Sequence, residues 1–70
     1  MKESIQKLVS ATESIEIDAN NGANKENIKM SINSTIPLIE MAKQNPLNSD
    51  YEELLNDLGN RLGKVLLIIK

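Results

Sequence analysis

Cysteine, histidine, tryptophan and phenylalanine are all absent from this chain, and Tyr51 is its single aromatic residue. Without Cys there is no disulfide framework, and without Cys or His the usual ligands of a structural zinc site are missing. The commonest nucleophiles and general bases of hydrolytic and redox chemistry are missing with them. No long apolar stretch occurs either. The longest uninterrupted run is Val65 to Ile69, against the roughly 20 residues that a membrane-spanning helix needs. The amino end carries Lys2 and Glu3 with no apolar block behind them, which does not match a secretory signal, so the sequence predicts a cytoplasmic protein without stable membrane insertion. Charge of one sign is also lacking: eight Lys plus Arg stand against ten Asp plus Glu, a net charge of −2. That balance gives no positive field for phosphates and argues against nucleic acid as a partner.

What is present is a 70-residue chain, 40% hydrophobic and 26% charged, enough for a single domain over 1–70 and too short for two. A chain of this size buries only about 60% of the surface it exposes when unfolded. Small natural domains offset that with disulfides, metals or partners, and only the last of these is open here. Association with another protein is therefore the first functional expectation.

Three helical stripes organise the sequence. Ile5, Leu8, Val9, Thr12 and Ile15 recur at spacings of three and four, which predicts a helix over about 2–18. It meets Asn20-Asn21-Gly22, residues that tolerate a left-handed backbone and stop helices. Asn24 can cap the next helix, where Ile28, Ile32, Thr35, Ile39 and Ala42 form a heptad seam over about 25–44. Pro37 falls inside that seam and costs roughly 3 kcal/mol in a helix interior. The stripe stays in phase on both sides of it, so one helix kinked at Pro37 is predicted, with two shorter helices as the alternative. Asn45-Pro46-Leu47-Asn48 breaks the pattern, and Ser49 with Glu52 fits a capping box. The third helix is expected over about 50–69, with Tyr51, Leu55, Leu58, Leu62, Val65 and Ile69 as its seam. No segment alternates in the manner of a strand. The predicted fold is all-α, an antiparallel helical hairpin with an additional N-terminal helix that packs on it or is loosely attached.

Residues that could carry chemistry are few. Glu52 and Glu53 are adjacent and diverge by about 100° on a helix, so they do not converge as an acid–base pair. Gly59 and Gly63 lie among leucines inside a helix, not between a strand and a helix as a phosphate loop requires. The expectation is that the protein is not an enzyme, with no catalytic, cofactor-binding or metal-binding residues and no cofactor. Asn33-Ser34-Thr35 matches a glycosylation acceptor but lies mid-helix, and is read as coincidence.

The two glycines are informative for another reason, since each costs about 1 kcal/mol relative to Ala in a helix interior. Either packing against the second helix offsets that cost, or contact with a separate partner chain does. Apolar residues left off the seams point the same way. Met30, Leu38 and Met41 on the second helix, and Leu54, Leu67 and Ile68 on the third, fall away from the hairpin interface. Together with Leu66 and the groove at Gly59 and Gly63, residues Leu54, Leu67 and Ile68 are expected to form a partner-binding strip, unless the first helix covers it.

The breaker turn Asn45-Pro46-Leu47-Asn48, Tyr51 at the start of the last helix and the apolar Leu62, Val65, Leu66, Leu67, Ile68 and Ile69 resemble the YscE/PscE-type family of type III secretion needle co-chaperones. The resemblance covers roughly residues 28–69. Tyr51 is displaced by about one position from the family spacing, and Pro37 interrupts a helix usually continuous there. The segment Met41 to Pro46 followed by Tyr51 is also similar to the hairpin turn of the needle subunits. The resemblance implies a cytoplasmic protein that pairs in a heteromer with a tetratricopeptide-type chaperone and helps keep a needle subunit monomeric before export. The alternatives are a self-associating helical module, such as a homodimer, and a small inhibitor of another protein.

Overall fold

A computed structural model describes residues 2–69. Helix α1 spans Glu3–Asn20, α2 spans Lys25–Gln44 and α3 spans Glu52–Ile68, with a 3-10 helix, Pro46–Tyr51, between the last two. The described chain is all-α, with no strand. Each helix turns its apolar stripe inward. Ile5, Leu8 and Ile15 of α1, Ile28, Ile32 and Ile39 of α2, and Leu55, Leu58, Leu62 and Val65 of α3 form one buried core, closed at its end by Ile69. Helix α1 packs against both α2 and α3, so the hairpin with an attached helix is a three-helix bundle, 36 Å long and 17 by 16 Å across. A hairpin alone leaves one side of its seam wet, and α1 supplies the missing wall.

The two polar residues on these stripes are absorbed without orphaned groups. Thr12, fully buried, donates its hydroxyl to the Leu8 carbonyl at 2.9 Å, and Thr35 donates to the Ser31 carbonyl at 2.7 Å. Each side chain thus presents its methyl group to the core while its own helix satisfies the oxygen.

The helix ends follow from local chemistry. At the end of α1, Gly22 takes φ +75°, a left-handed backbone open to glycine. It lets the Gly22 amide reach the Ala19 carbonyl and the Ala23 amide reach the Asp18 carbonyl, the paired bonds that close a helix C-terminus. Asn24 caps α2 as its sequence suggests, its Oδ1 accepting from the Glu26 and Asn27 amides at 2.9 and 3.2 Å. Helix α2 runs as one element through Pro37, not as two shorter helices. Pro37 is exposed, as is Asn33, whose carbonyl the proline leaves without a helical donor.

The entry to α3 differs from expectation. The capping box of Ser49 and Glu52 does not form, and α3 begins at Glu52 with no side-chain cap. Helical turning has already started at Pro46, where Asn45 Oδ1 accepts the Leu47 amide at 3.0 Å. Ser49 therefore lies inside a turn and uses its carbonyl to accept from the Glu52 amide, whereas a capping residue needs an extended backbone. Asn48 completes the corner, donating Nδ2 to the Ala42 carbonyl at 3.1 Å and accepting from Lys2 Nζ at 2.9 Å. Lys2 also donates to the Leu47 carbonyl at 2.7 Å. The start of the chain is thereby tied to the corner between α2 and α3.

Candidate functional surface

At about 100° per residue, the surface of α3 divides into two flanks around its buried Leu55, Leu58, Leu62 and Val65. Leu54, Asp57, Arg61, Lys64 and Ile68 lie on the flank beside α1, where Ile68 and Arg61 share a groove with Glu16 and Ile17. Gly59, Gly63 and Leu66 lie on the opposite flank, and Gly59 lines a groove with Ile36 and Ile39 of α2. Leu67 points outward between the flanks. The six residues expected to form one strip are therefore distributed around the helix. The charged residues of α3 past its first turn keep to the α1 side, and the groove at Gly59 takes its charges from Glu40 and Lys43 of α2.

Burial separates the six further. Leu54 and Leu66 are half-buried and pack against the core, whereas Leu67 and Ile68 are 66% and 68% exposed. Helix α1 does not cover that pair. Instead it adds Ile17, also exposed, across a groove of about 530 Å³ from Ile68. Three large aliphatic side chains thus stand open to water at one end of the bundle. The same end carries Arg61 and Lys64 on α3 facing Glu13 and Glu16 on α1, so an apolar tip is bordered by charges of both signs.

The glycines have no internal partner. A Cβ built at Gly59 or at Gly63 meets no atom within 4 Å, which removes close packing of α2 as the reason for either. The chain bears the helix-propensity cost of both without an internal contact that offsets it. The surface they leave is smooth.

Glu16 and Arg61 are the groups whose ionisation the fold perturbs most visibly. Arg61 Nε donates to Glu16 Oε2 at 3.0 Å, a second guanidinium nitrogen donates to Oε1, and Asp57 Oδ2 lies 3.7 Å from the third. The hydrogen bond from Arg61 holds the Glu16 carboxyl below the usual glutamate range, burial opposes it, and the positive charge of Arg61 adds to it. Arg61 is raised in turn, chiefly by the same hydrogen bond. This is a fork-to-fork contact with every prong engaged, and it positions the helices more than it offers chemistry. The pair leaves no mark in the sequence, because the partners are 45 residues apart and no local spacing signals such a contact.

Among the described residues, no group of three or more His, Cys, Asp or Glu side chains is placed to hold a metal ion. Among them, too, no helix is long and apolar enough to cross a membrane. No protein-family model, curated protein or solved structure matches the chain.

Proposed function

We propose that the protein is a non-enzymatic binding module that docks another protein through the exposed apolar end of α3. The observation that carries this reading is the exposure of Ile68 across a groove from Ile17, with Leu67 exposed on the outer face of α3 at the same end. Large apolar side chains left in water together at one end of so small a fold mark a partner surface. The glycines Gly59 and Gly63, on the opposite flank of α3, offer a second contact, because a helix of the partner can approach that backbone closely. The apolar tip would supply the anchors and the charged border the orientation.

Within that class, the resemblance of residues 28–69 to the YscE/PscE-type co-chaperones makes a tetratricopeptide-type chaperone the partner of choice and a needle subunit its cargo. A concave helical-repeat surface suits a short bundle that presents one helix face. The protein acts in the cytoplasm on this reading, as part of a heteromer and without a cofactor. The test is co-expression with a tetratricopeptide-type secretion chaperone encoded beside its gene, followed by size-exclusion chromatography. A stable heteromer is expected. Separate elution of two well-folded proteins contradicts the co-chaperone assignment.

A further inference from the structure

A second surface, on the α1–α2 side, has a pattern that none of the preceding uses. Its middle is small and uncharged, with Ala11 and Ser14 of α1 against Ser31 and Ser34 of α2 around a groove of about 490 Å³. One end carries Met30, 67% exposed, beside Asp18. The other carries Leu38 and Met41, 53% and 67% exposed, beside Lys7 in a groove of about 410 Å³. Between Lys29 and Glu40, helix α2 has no charged residue.

The spacings on the two helices match. Lys7 and Asp18 are eleven residues apart, as are Met30 and Met41. Eleven residues make three turns plus about 20° and advance about 16 Å, so each pair lies on a single stripe of its helix. The midpoint of both pairs falls at the level where Ala11 and Ser14 face Ser34 and Thr35. One line across the bundle at that level therefore bisects the charged pair on α1 and the apolar pair on α2 together.

We infer that this α1–α2 face binds a second copy of the chain about a twofold axis along that line. The axis lies in the interface and runs across the helices, so each α1 meets the other α1 antiparallel, and each α2 meets the other α2. Lys7 then faces Asp18 of the second copy, twice over. Met30 of each copy enters between Leu38 and Met41 of the other, and Ser34 lies against Ser34 at the centre. An axis along the helices instead sets Lys7 over Leu38 and Asp18 over Met30, charge over apolar surface, which the desolvation of the charges disfavours. Among the described residues, Lys7 has only the exposed intrahelical Glu3, at 3.7 Å, as its own ion-pair partner. Asp18 has no cation within ion-pair distance among the described residues. The face of a bundle 36 by 17 Å between Cα atoms offers on the order of 600 Å² per copy, less than the roughly 800 Å² of a standard interface. The dimer is accordingly weak and concentration-dependent, and it leaves the apolar end of α3 free. This inference stands apart from the proposed heteromer, and either can fail alone.

Sedimentation equilibrium of the full chain from about 10 μM to 1 mM measures the association. The expected result is a reversible monomer–dimer equilibrium. Lys7→Asp and Asp18→Lys each turn two attractive contacts into two repulsive ones and should weaken it at least about tenfold, while the double variant restores it to within about threefold. Both positions are exposed, so the circular dichroism melts of all three variants should stay close to that of the parent. A chain that stays monomeric across the range overturns the inference. A dimer indifferent to the single swaps, or one that the double variant fails to restore, overturns it equally and moves the self-contact to another face.

Discussion

Arg61 and Glu16 form a two-pronged contact between α3 and α1, one prong measuring 3.0 Å from Nε to Oε2. With Lys2 donating to Asn48 and to the Leu47 carbonyl, it fixes both ends of α1 to the rest of the bundle by charged hydrogen bonds. Between these ends α1 holds by its apolar stripe. The pair thus couples the register of α1 to that of α3, and hence the position of Ile17 relative to Ile68.

The contact makes stability depend on pH in a stated direction. The folded-state pKa of Glu16 lies below its unfolded value, so its contribution is complete above the ordinary glutamate range and is lost as pH falls through the lowered value. Replacement by Glu16→Gln should cost about 1 kcal/mol near neutrality, the scale of a partly exposed charged pair. Thermal melts at pH 7 and below about pH 4 check this. The gap between parent and variant should be open at the higher pH and should shrink at the lower.

Gly59→Ala and Gly63→Ala should each stabilise the isolated protein by about 0.5–1 kcal/mol, because helix propensity improves and the added methyl meets no atom within 4 Å. If a partner helix lies on this flank, the same methyl groups hold it off. Affinity for the partner should then fall while the melting temperature rises, a split that urea titration together with a binding isotherm would resolve.

Leu58 is fully buried between the helices, and Leu58→Asp should abolish cooperative unfolding by placing an unpaired charge in the core. Glu53, exposed in the first turn of α3, should tolerate Ala within about 0.5 kcal/mol. Far-ultraviolet circular dichroism of both variants separates the two positions.

The seams were legible in the sequence because helical periodicity is a local signal. Ile5, Leu8, Thr12 and Ile15, then Ile28, Ile32, Thr35 and Ile39, then Leu55, Leu58, Leu62, Val65 and Ile69 are all buried in the fold. The exposure of Met30, Leu38, Met41, Leu67 and Ile68 follows from the same periodicity. The attachment of α1 was not legible, since a seam shows which face is buried and not what covers it. The corner at Pro46–Tyr51 departs from its local signal for a related reason: Ser49 and Glu52 have the spacing of a cap, but Asn45 and Pro46 commit the chain to a turn before Ser49 is reached. The division of the expected α3 strip into two flanks is a matter of helical phase. It becomes visible once Arg61 is seen to face Glu16 and Gly59 to face Ile36.

The account rests on Leu67 and Ile68 being a docking surface and not part of the core, and the double variant Leu67→Ser/Ile68→Ser tests that most directly when its binding to the co-expressed chaperone is measured on protein of known melting temperature. The predicted result is a melt within about 0.5 kcal/mol of the parent, as for exposed positions, with loss of the heteromer. A heteromer that survives in the folded variant contradicts the account. So does a melt lowered by several kcal/mol, as for truncated core side chains, which would place these residues inside the fold.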